Sequence, residues 1–222
     1  MNTESESIVN EFLTFIRDKE FPCIAAKAAV SLEQIHVQVV DHLACPNDDG
    51  KILHFLCEFI DLYRQSPNLY HSAAVIFKRP GNLTEDTFDE LLWSRLQSIS
   101  DLDALTYEWD SRVGKETMSA DFSYSIKSEG LYVIGMHPAS SRRSRQFSYP
   151  AFIFNPHGQF EKLRQDQKYQ PMKEVVRKRD LKLSGTINPM LADFGESSEV
   201  FQYSGKQYQK SWNCPFIAKH EK

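Results

Sequence analysis

The chain has 222 residues, with 26 Lys and Arg against 30 Asp and Glu and a net charge of -4 at pH 7. A phosphate-binding surface usually declares itself as a basic excess, so nucleic acid is not an expected partner. No apolar run approaches the roughly 20 residues of a bilayer span, and the first residues, MNTESESIVNEF, are acidic and polar where a secretory signal is basic and then apolar; no membrane association and a cytoplasmic location are expected.

Ile8, Val9, Phe12, Leu13, Phe15 and Ile16 recur at helical spacing and predict an amphipathic helix over 6–19 that ends before Pro22. A short helix through Ala25–Ala29 follows. Ile35, Val37 and Val39 alternate with polar neighbours as in a strand, and residues 45–50 form a turn. The next amphipathic helix carries Ile52, Phe55, Leu56, Phe59, Ile60 and Tyr63, and Ala73–Phe77 is a short apolar strand. Beyond a turn at 79–82, Thr84 caps a helix bearing Phe88, Leu91, Leu92, Leu96 and Ile99, with Glu85 and Asp86 in its first turn.

The second half reads as strands at Phe122–Ile126, Leu131–Gly135 and Ala151–Phe154, with Glu129-Gly130 suggesting a hairpin between the first two. Helices are predicted from Gln159 to about Gln165 and from Pro171 to about Leu183, the latter with Met172, Val175, Val176 and Leu183 on one side. The tail from Gly185 is irregular, and long irregular segments in compact domains are often functional, so it is expected to wrap over a site. These elements give a single α+β domain with a central, largely antiparallel sheet and peripheral helices.

The chemistry-bearing residues concentrate between 135 and 164. His137 follows the apolar strand LYVIG, and Ser140, Ser141, Arg142, Arg143 and Arg145 follow it at once. Guanidinium groups beside an imidazole suit an anionic ligand held next to a metal or a proton-transfer centre, whereas the bland reading is a turn histidine and a solvated basic loop. His157 sits in the same way after AFIF, at the start of the helix bearing Arg164, where the helix dipole favours the neutral, metal-binding imidazole; a capping role is the alternative. Asp180, in Arg177-Lys178-Arg179-Asp180, and Glu199, in a run with Gln202, Tyr203 and Gly205, are the acidic candidates. No H-E-x-x-H, G-x-G-x-x-G, Walker A or G-x-S-x-G occurs, so zinc-hydrolase, nucleotide and serine-hydrolase readings lack support. Cys23, Cys45, Cys57 and Cys214 form no C-x-x-C pair, and reduced thiols are expected; Cys23 and Cys214 are each flanked by proline.

Taken in order, FPC at 21–23, GMHPASSRRSR at 135–145, FNPHGQFEKLR at 154–164, RKRD at 177–180, INPML at 187–191, SEVFQYSG at 198–205 and WNCPF at 212–216 resemble the YqcI/YcgG family. The resemblance runs from Phe21 to Phe216. That family includes haem-dependent N-oxygenases that hydroxylate guanidine nitrogens, among them a pre-guanitoxin N-hydroxylase. The resemblance therefore implies haem b as cofactor, and a small guanidino or amino metabolite, O2 and an external electron donor as partners. Haem needs an axial ligand, cations for two propionates and an apolar slot. His137 is the expected proximal ligand, because Arg142, Arg143 and Arg145 lie nearest to it, with Arg164 as a further cation. His157 is the second candidate ligand or a distal proton-transfer group, a Cys23 or Cys214 thiolate the third choice, and Glu199 and Asp180 the acids facing the substrate. Lys206, where arginine is expected in many relatives, and Val200-Phe201 depart from the pattern and bear on the substrate. A non-catalytic haem sensor or carrier, and a cofactor-free protein gripping a small anion with Arg142, Arg143 and Arg145, are the rival readings.

Overall fold

A computed structural model describes residues 3–66, 68–188, 190, 192, 194–209 and 211–220. Its frame is a five-stranded sheet of order β1-β2-β5-β4-β3, formed by β1 (Ile35–His42), β2 (Ser72–Arg79), β3 (Tyr124–Ile126), β4 (Glu129–Met136) and β5 (Ala151–Pro156). Only the β1–β2 pair is parallel; the other three pairings are antiparallel. The parallel pair needs a crossover, and the long helix α3 (Asp49–Gln65) supplies it. The fold is thus the α+β class with a largely antiparallel sheet that the alternating and helical periodicities predict.

Both faces of the sheet are buried, and each strand sends alternate side chains to opposite sides. On one face Val75, Phe77, Val133, Phe152 and Phe154 pack against α3 and against α4 (Glu85–Asp103). On the other, Ala74, Ile76, Met136 and Ile153 meet α1 (Thr3–Arg17) and α2 (Ile24–Ser31). Thr84 does cap α4, its hydroxyl accepting from the Thr87 N–H at 3.1 Å. α4 closes tightly on the sheet because β4 offers it Gly135: a Cβ there would lie 2.7 Å from Phe88 Cε1 and 2.8 Å from Leu92 Cδ1.

Some boundaries move. The β3–β4 hairpin turns at Lys127 and Ser128, both left-handed (φ 51° and 54°), so Glu129 and Gly130 belong to the strand rather than to the turn. The β3 strand is shorter than expected, starting at Tyr124. Helices α5 (His157–Gln165) and α6 (Tyr169–Ser184) begin two residues earlier than the periodicity alone suggests. Val175, placed by the pattern on the buried side of α6, is 41% exposed. The one-turn helix α7 (Val200–Tyr203) has no signature in the sequence. No helix among the described residues is long and apolar enough to cross a membrane.

The tail leaves α6 and passes from one face of the sheet to the other. Val200, Tyr203 and Phe216 join the α3/α4 core, and the irregular end of the tail is pinned to α4 by Gln97, whose amide donates to Ile217 O at 2.9 Å, and by the fully buried His220–Asp103 pair at 3.0 Å.

Because α4 has no free space over Gly135, Gly135→Ala is expected to destabilise the fold by about 1–3 kcal/mol through overpacking. Urea unfolding followed by circular dichroism measures this, whereas Gly50→Ala, at a position with nothing nearby, stays close to wild type.

Candidate functional site

The strand pleat decides where each histidine goes. In β5 the residues facing α1 and α2 are Ile153 and Asn155, and His157 continues that phase onto the first residue of α5. In β4 the cavity-facing set is Tyr132, Ile134 and Met136, so His137 falls one step out of phase and turns to the α4 side.

On the first face lies a cavity of about 250 Å3. Its sheet wall is Tyr132, Ile134, Met136 and Ile153; α1 and α2 contribute Phe12, Ile16 and Ala26, and the FPC segment adds Phe21 and Cys23. Helix α6 presents Tyr169, Met172, Lys173, Val176 and Arg177, an i, i+3, i+4, i+7, i+8 stripe, while α5 adds Phe160, Leu163 and Arg164. The tail closes the cavity with Ala192, Phe194, Glu199 and Gln202, so the irregular segment does lie against it. Apolar side chains dominate, and the cations Arg164, Lys173 and Arg177 come from the two helices.

Two titratable groups line this apolar space. His157 is 4% exposed, and its Nε2 has no hydrogen-bond partner. Burial drives its pKa down to about 4, so the imidazole is neutral at pH 7 and its Nε2 is available as an acceptor or a metal ligand. Glu199 is 5% exposed, and burial raises its carboxyl to about 7 against the opposing hydrogen bonds that Ser123 Oγ and Tyr203 Oη donate to Oε2, at 3.0 and 3.2 Å. Its other oxygen, Oε1, is 3.9 Å from His157 Nε2, too far for a direct hydrogen bond. A neutral base and a carboxyl that exchanges its proton near neutrality therefore share one wall. Phe194 lies on the His157 ring at 4.2 Å, and Tyr132 Oη donates to Gln202 Oε1 at 2.8 Å.

Of the residues expected to act together, the structure brings His157, Glu199 and Arg164 to the cavity and places His137, Arg142, Arg143, Arg145 and Asp180 elsewhere. Arg142 donates to the Asp180 carboxylate and to Thr186 O at 2.8 Å, an ion pair that fastens the 140s loop to α6. Asp180 is thus the counterion of Arg142, and Ser144 and Ser184 donate to its other oxygen at 3.1 and 3.2 Å. Arg145 is buried beneath the tail and donates to Tyr203 O at 2.9 Å. Its stem lies where a Cβ on Gly205 would be, 2.8 Å away, which with the positive φ of 89° makes glycine necessary there. Arg143 is exposed. The three arginines do not converge, and no shared anion grip forms. His137 is fully buried, stacked on Phe88 at 4.2 Å, with neither ring nitrogen hydrogen-bonded and its pKa lowered to about 4, chiefly by burial.

Cys23 lines the cavity, but its sulfur caps α2 by accepting the Ala26 N–H at 3.4 Å, and burial raises its pKa. Cys214 is pushed up to about 12 by burial; both are thiols at neutral pH. Of INPML, Pro189 and Leu191 lie outside the described residues. A larger groove of about 540 Å3 opens on the surface beside Tyr63 and Lys162. Its arginines are spent on its own acids, Arg64 on Glu129 at 3.2 Å and Arg112 on Asp110 at 2.7 Å, leaving no single-signed site. No cluster of three or more metal-ligating side chains occurs among the described residues.

Sequence comparison adds the family. The model of the YqcI/YcgG family matches residues 12–217. The chain belongs to the YqcI/YcgG family. No curated protein and no solved structure matches it. Within this YqcI/YcgG chain, the matched span contains every cavity-lining residue named above. Lys173, Arg177, Tyr132 and Phe194 were not among the expected site residues. The first two were legible as an i, i+4 pair flanking Met172 and Val176, and Tyr132 as the partner in phase with Ile134.

His137 supplies a test of its own. Its folded pKa lies below the ordinary 6.5, so between about pH 6.5 and 4 the unfolded chain binds a proton that the folded protein refuses, and stability falls as pH is lowered through that window. His137→Phe is expected to flatten this dependence by up to about 1.4 kcal/mol per pH unit. Above pH 7 it should leave the protein at least as stable, since two unsatisfied buried nitrogens are removed. Denaturant midpoints between pH 4.5 and 8 read both effects.

Proposed function

We propose that the cavity beside His157 holds haem b and that the protein is an N-monooxygenase, hydroxylating a nitrogen of a small guanidino or amino metabolite with O2 and electrons from an external donor. One observation carries this reading: a neutral imidazole whose Nε2 is buried, unpartnered and set in the wall of an apolar cavity. An unsatisfied buried nitrogen calls for a partner, and iron is a partner suited to it. Family membership supports the same assignment. His157, rather than His137, is the residue that would hold the iron, and Arg164, Lys173 and Arg177 are the cations for the propionates.

Haem, when bound, supplies the activation of O2 and the transfer of oxygen. The chain does the rest. Phe12, Ile16, Met136 and Ile153 keep water out and lower the local dielectric. Glu199, poised near neutrality, lends or takes a proton at Oε1 while Ser123 and Tyr203 fix Oε2. Gln202, whose Oε1 accepts from Tyr132 and whose Nε2 donates to Ala192 O at 3.3 Å, ties the tail to the sheet at the cavity wall. Phe194, tilted against His157, shields that side of the imidazole from solvent.

Protein produced with haem precursor supplied is expected to show a Soret band. His157→Ala should lose the band while its far-UV circular dichroism and melting temperature stay near those of the haem-free wild type, and His137→Ala should keep it. Absence of a Soret band in the wild type, or loss of haem in His137→Ala and not in His157→Ala, overturns the assignment. A Soret band without O2-dependent product from guanidino compounds moves the reading to a haem sensor or carrier.

A further inference from the structure

Glu199 and Asp89 are both buried carboxylates, and each accepts a hydrogen bond from a tyrosine. Tyr203 Oη donates to Glu199 Oε2 at 3.2 Å on the cavity side, and Tyr208 Oη donates to Asp89 Oδ1 on the far side of the tail. Between the two tyrosines stands Trp93, 3% exposed. Its indole is stacked with the Tyr203 ring at 5.8 Å and 23°, and its Nε1 lies 3.0 Å from Asp89 Oδ1 and 3.3 Å from Tyr208 Oη. Tyr208 in turn stacks on Trp212 at 3.8 Å and 21°, and Trp212 is only half-buried. At the inner end Tyr132, a cavity wall residue, meets Tyr203 at 5.9 Å. Tyrosine and tryptophan are the ring side chains most readily oxidised by one electron, and oxidised tyrosine must shed its phenolic proton. A core that needed only bulk would be served by Phe, which the chain uses freely elsewhere; here each tyrosine has a carboxylate to take that proton. The third tryptophan, Trp109, makes its ring contacts with Phe122, Phe216 and His220 and stands outside this series.

We infer that Tyr203, Trp93, Tyr208 and Trp212 form a one-electron relay between the cavity and the surface, with Glu199 and Asp89 as the proton acceptors of its two tyrosines. A one-electron oxidant generated at a redox cofactor in the cavity takes an electron from Tyr203, whose proton passes to Glu199. Trp93 returns an electron to Tyr203, which recovers its proton from Glu199. Tyr208 then reduces Trp93 and hands its own proton to Asp89. A soluble one-electron donor at the Trp212 edge refills Tyr208, and the proton comes back from Asp89. One electron has moved from donor to cavity, and both protons are where they began. The use of the relay in turnover rests on the redox reading of the cavity, but the relay itself is a property of the chain.

It is therefore tested on the purified protein without added cofactor. Azidyl radicals made by pulse radiolysis oxidise accessible indoles, and the optical bands of tryptophan and tyrosine radicals are followed in time. In the wild type the tryptophan radical is expected to convert to a tyrosine radical in a first-order step independent of protein concentration. Trp212→Phe, at a half-buried position where phenylalanine keeps a ring against Tyr208, should lose that step, and Trp109→Phe should keep it. Tyr208→Phe should slow the conversion several-fold while leaving it first-order, as the hole moves on through Trp93 to Tyr203; adding Trp93→Phe should remove it. A wild-type tryptophan radical that decays only by second-order reaction, loss of the step in Trp109→Phe instead of Trp212→Phe, or equal rates in Tyr208→Phe and the double variant overturns the relay. A missing Soret band bears on the cofactor alone and leaves these kinetics as they are.

Discussion

The alternation of side chains across β4 and β5 is the constraint on which the rest of the molecule depends. Six residue pairs tie the two strands in register, so Tyr132 faces the same side as Asn155, Ile134 as Ile153, and Met136 as Ala151. A one-residue slip of β5 would exchange its two faces, moving Phe152 and Phe154 out of the α3/α4 core and into the cavity. The two histidines that continue these strands inherit opposite phases and so end in different environments. Gly135, bare of a side chain, sets how closely α4 approaches, and with it the distance at which Phe88 covers His137.

Buried charges and the polar groups of the cavity are treated differently. Charges that serve the fold are fully matched. Arg95 reaches Asp49 and the carbonyls of His42, Leu43 and Cys45, closing the loop after β1, and Arg142 is spent on Asp180. Such pairs contribute little net stability compared with an apolar replacement, but losing one partner strands the other charge, so they fix the geometry of the loops they join. Around the cavity the matching is incomplete: His157 Nε2 has no partner, and Glu199 holds its two hydrogen bonds on one oxygen only. Desolvation is then the largest influence on their protonation, which leaves one group neutral and the other divided at physiological pH.

Much of the scaffold was legible because periodicity is a local property. The stripes of α1, α3 and α4, the Thr84 cap and the alternation of β1 can all be read within a few residues. The later start of β3 at Tyr124 and the one-turn α7 were not, since Val200, Tyr203 and Phe216 are placed by long-range packing in the α3/α4 core rather than by any local preference. The arginines of 142–145 looked like one site because they are adjacent in sequence, but their partners are 38 residues away for Arg142 and 58 for Arg145, and those partners send them in different directions. His157, Arg164 and Glu199 were named from the sequence. That they share one cavity while His137 does not follows from counting pleats from Ile153 and Ile134, a step that composition and motif reading leave out.

The tail is a cavity wall at Phe194 and Glu199 and, some twenty residues later, a clasp on α4 through Ile217 and His220. A segment that does both cannot open at one end without loosening the other, because Val200 and Tyr203 are rooted in the opposite core. Occupation of the cavity is thereby coupled to the hold of the C-terminus: any molecule that binds the closed form more tightly shifts the opening equilibrium by mass action. Amide protons such as that of Ile217, bonded to Gln97 Oε1 at 2.8 Å and far from the cavity in the chain, would exchange more slowly once the cavity is filled. The C-terminal strap is in this sense a built-in reporter of occupancy.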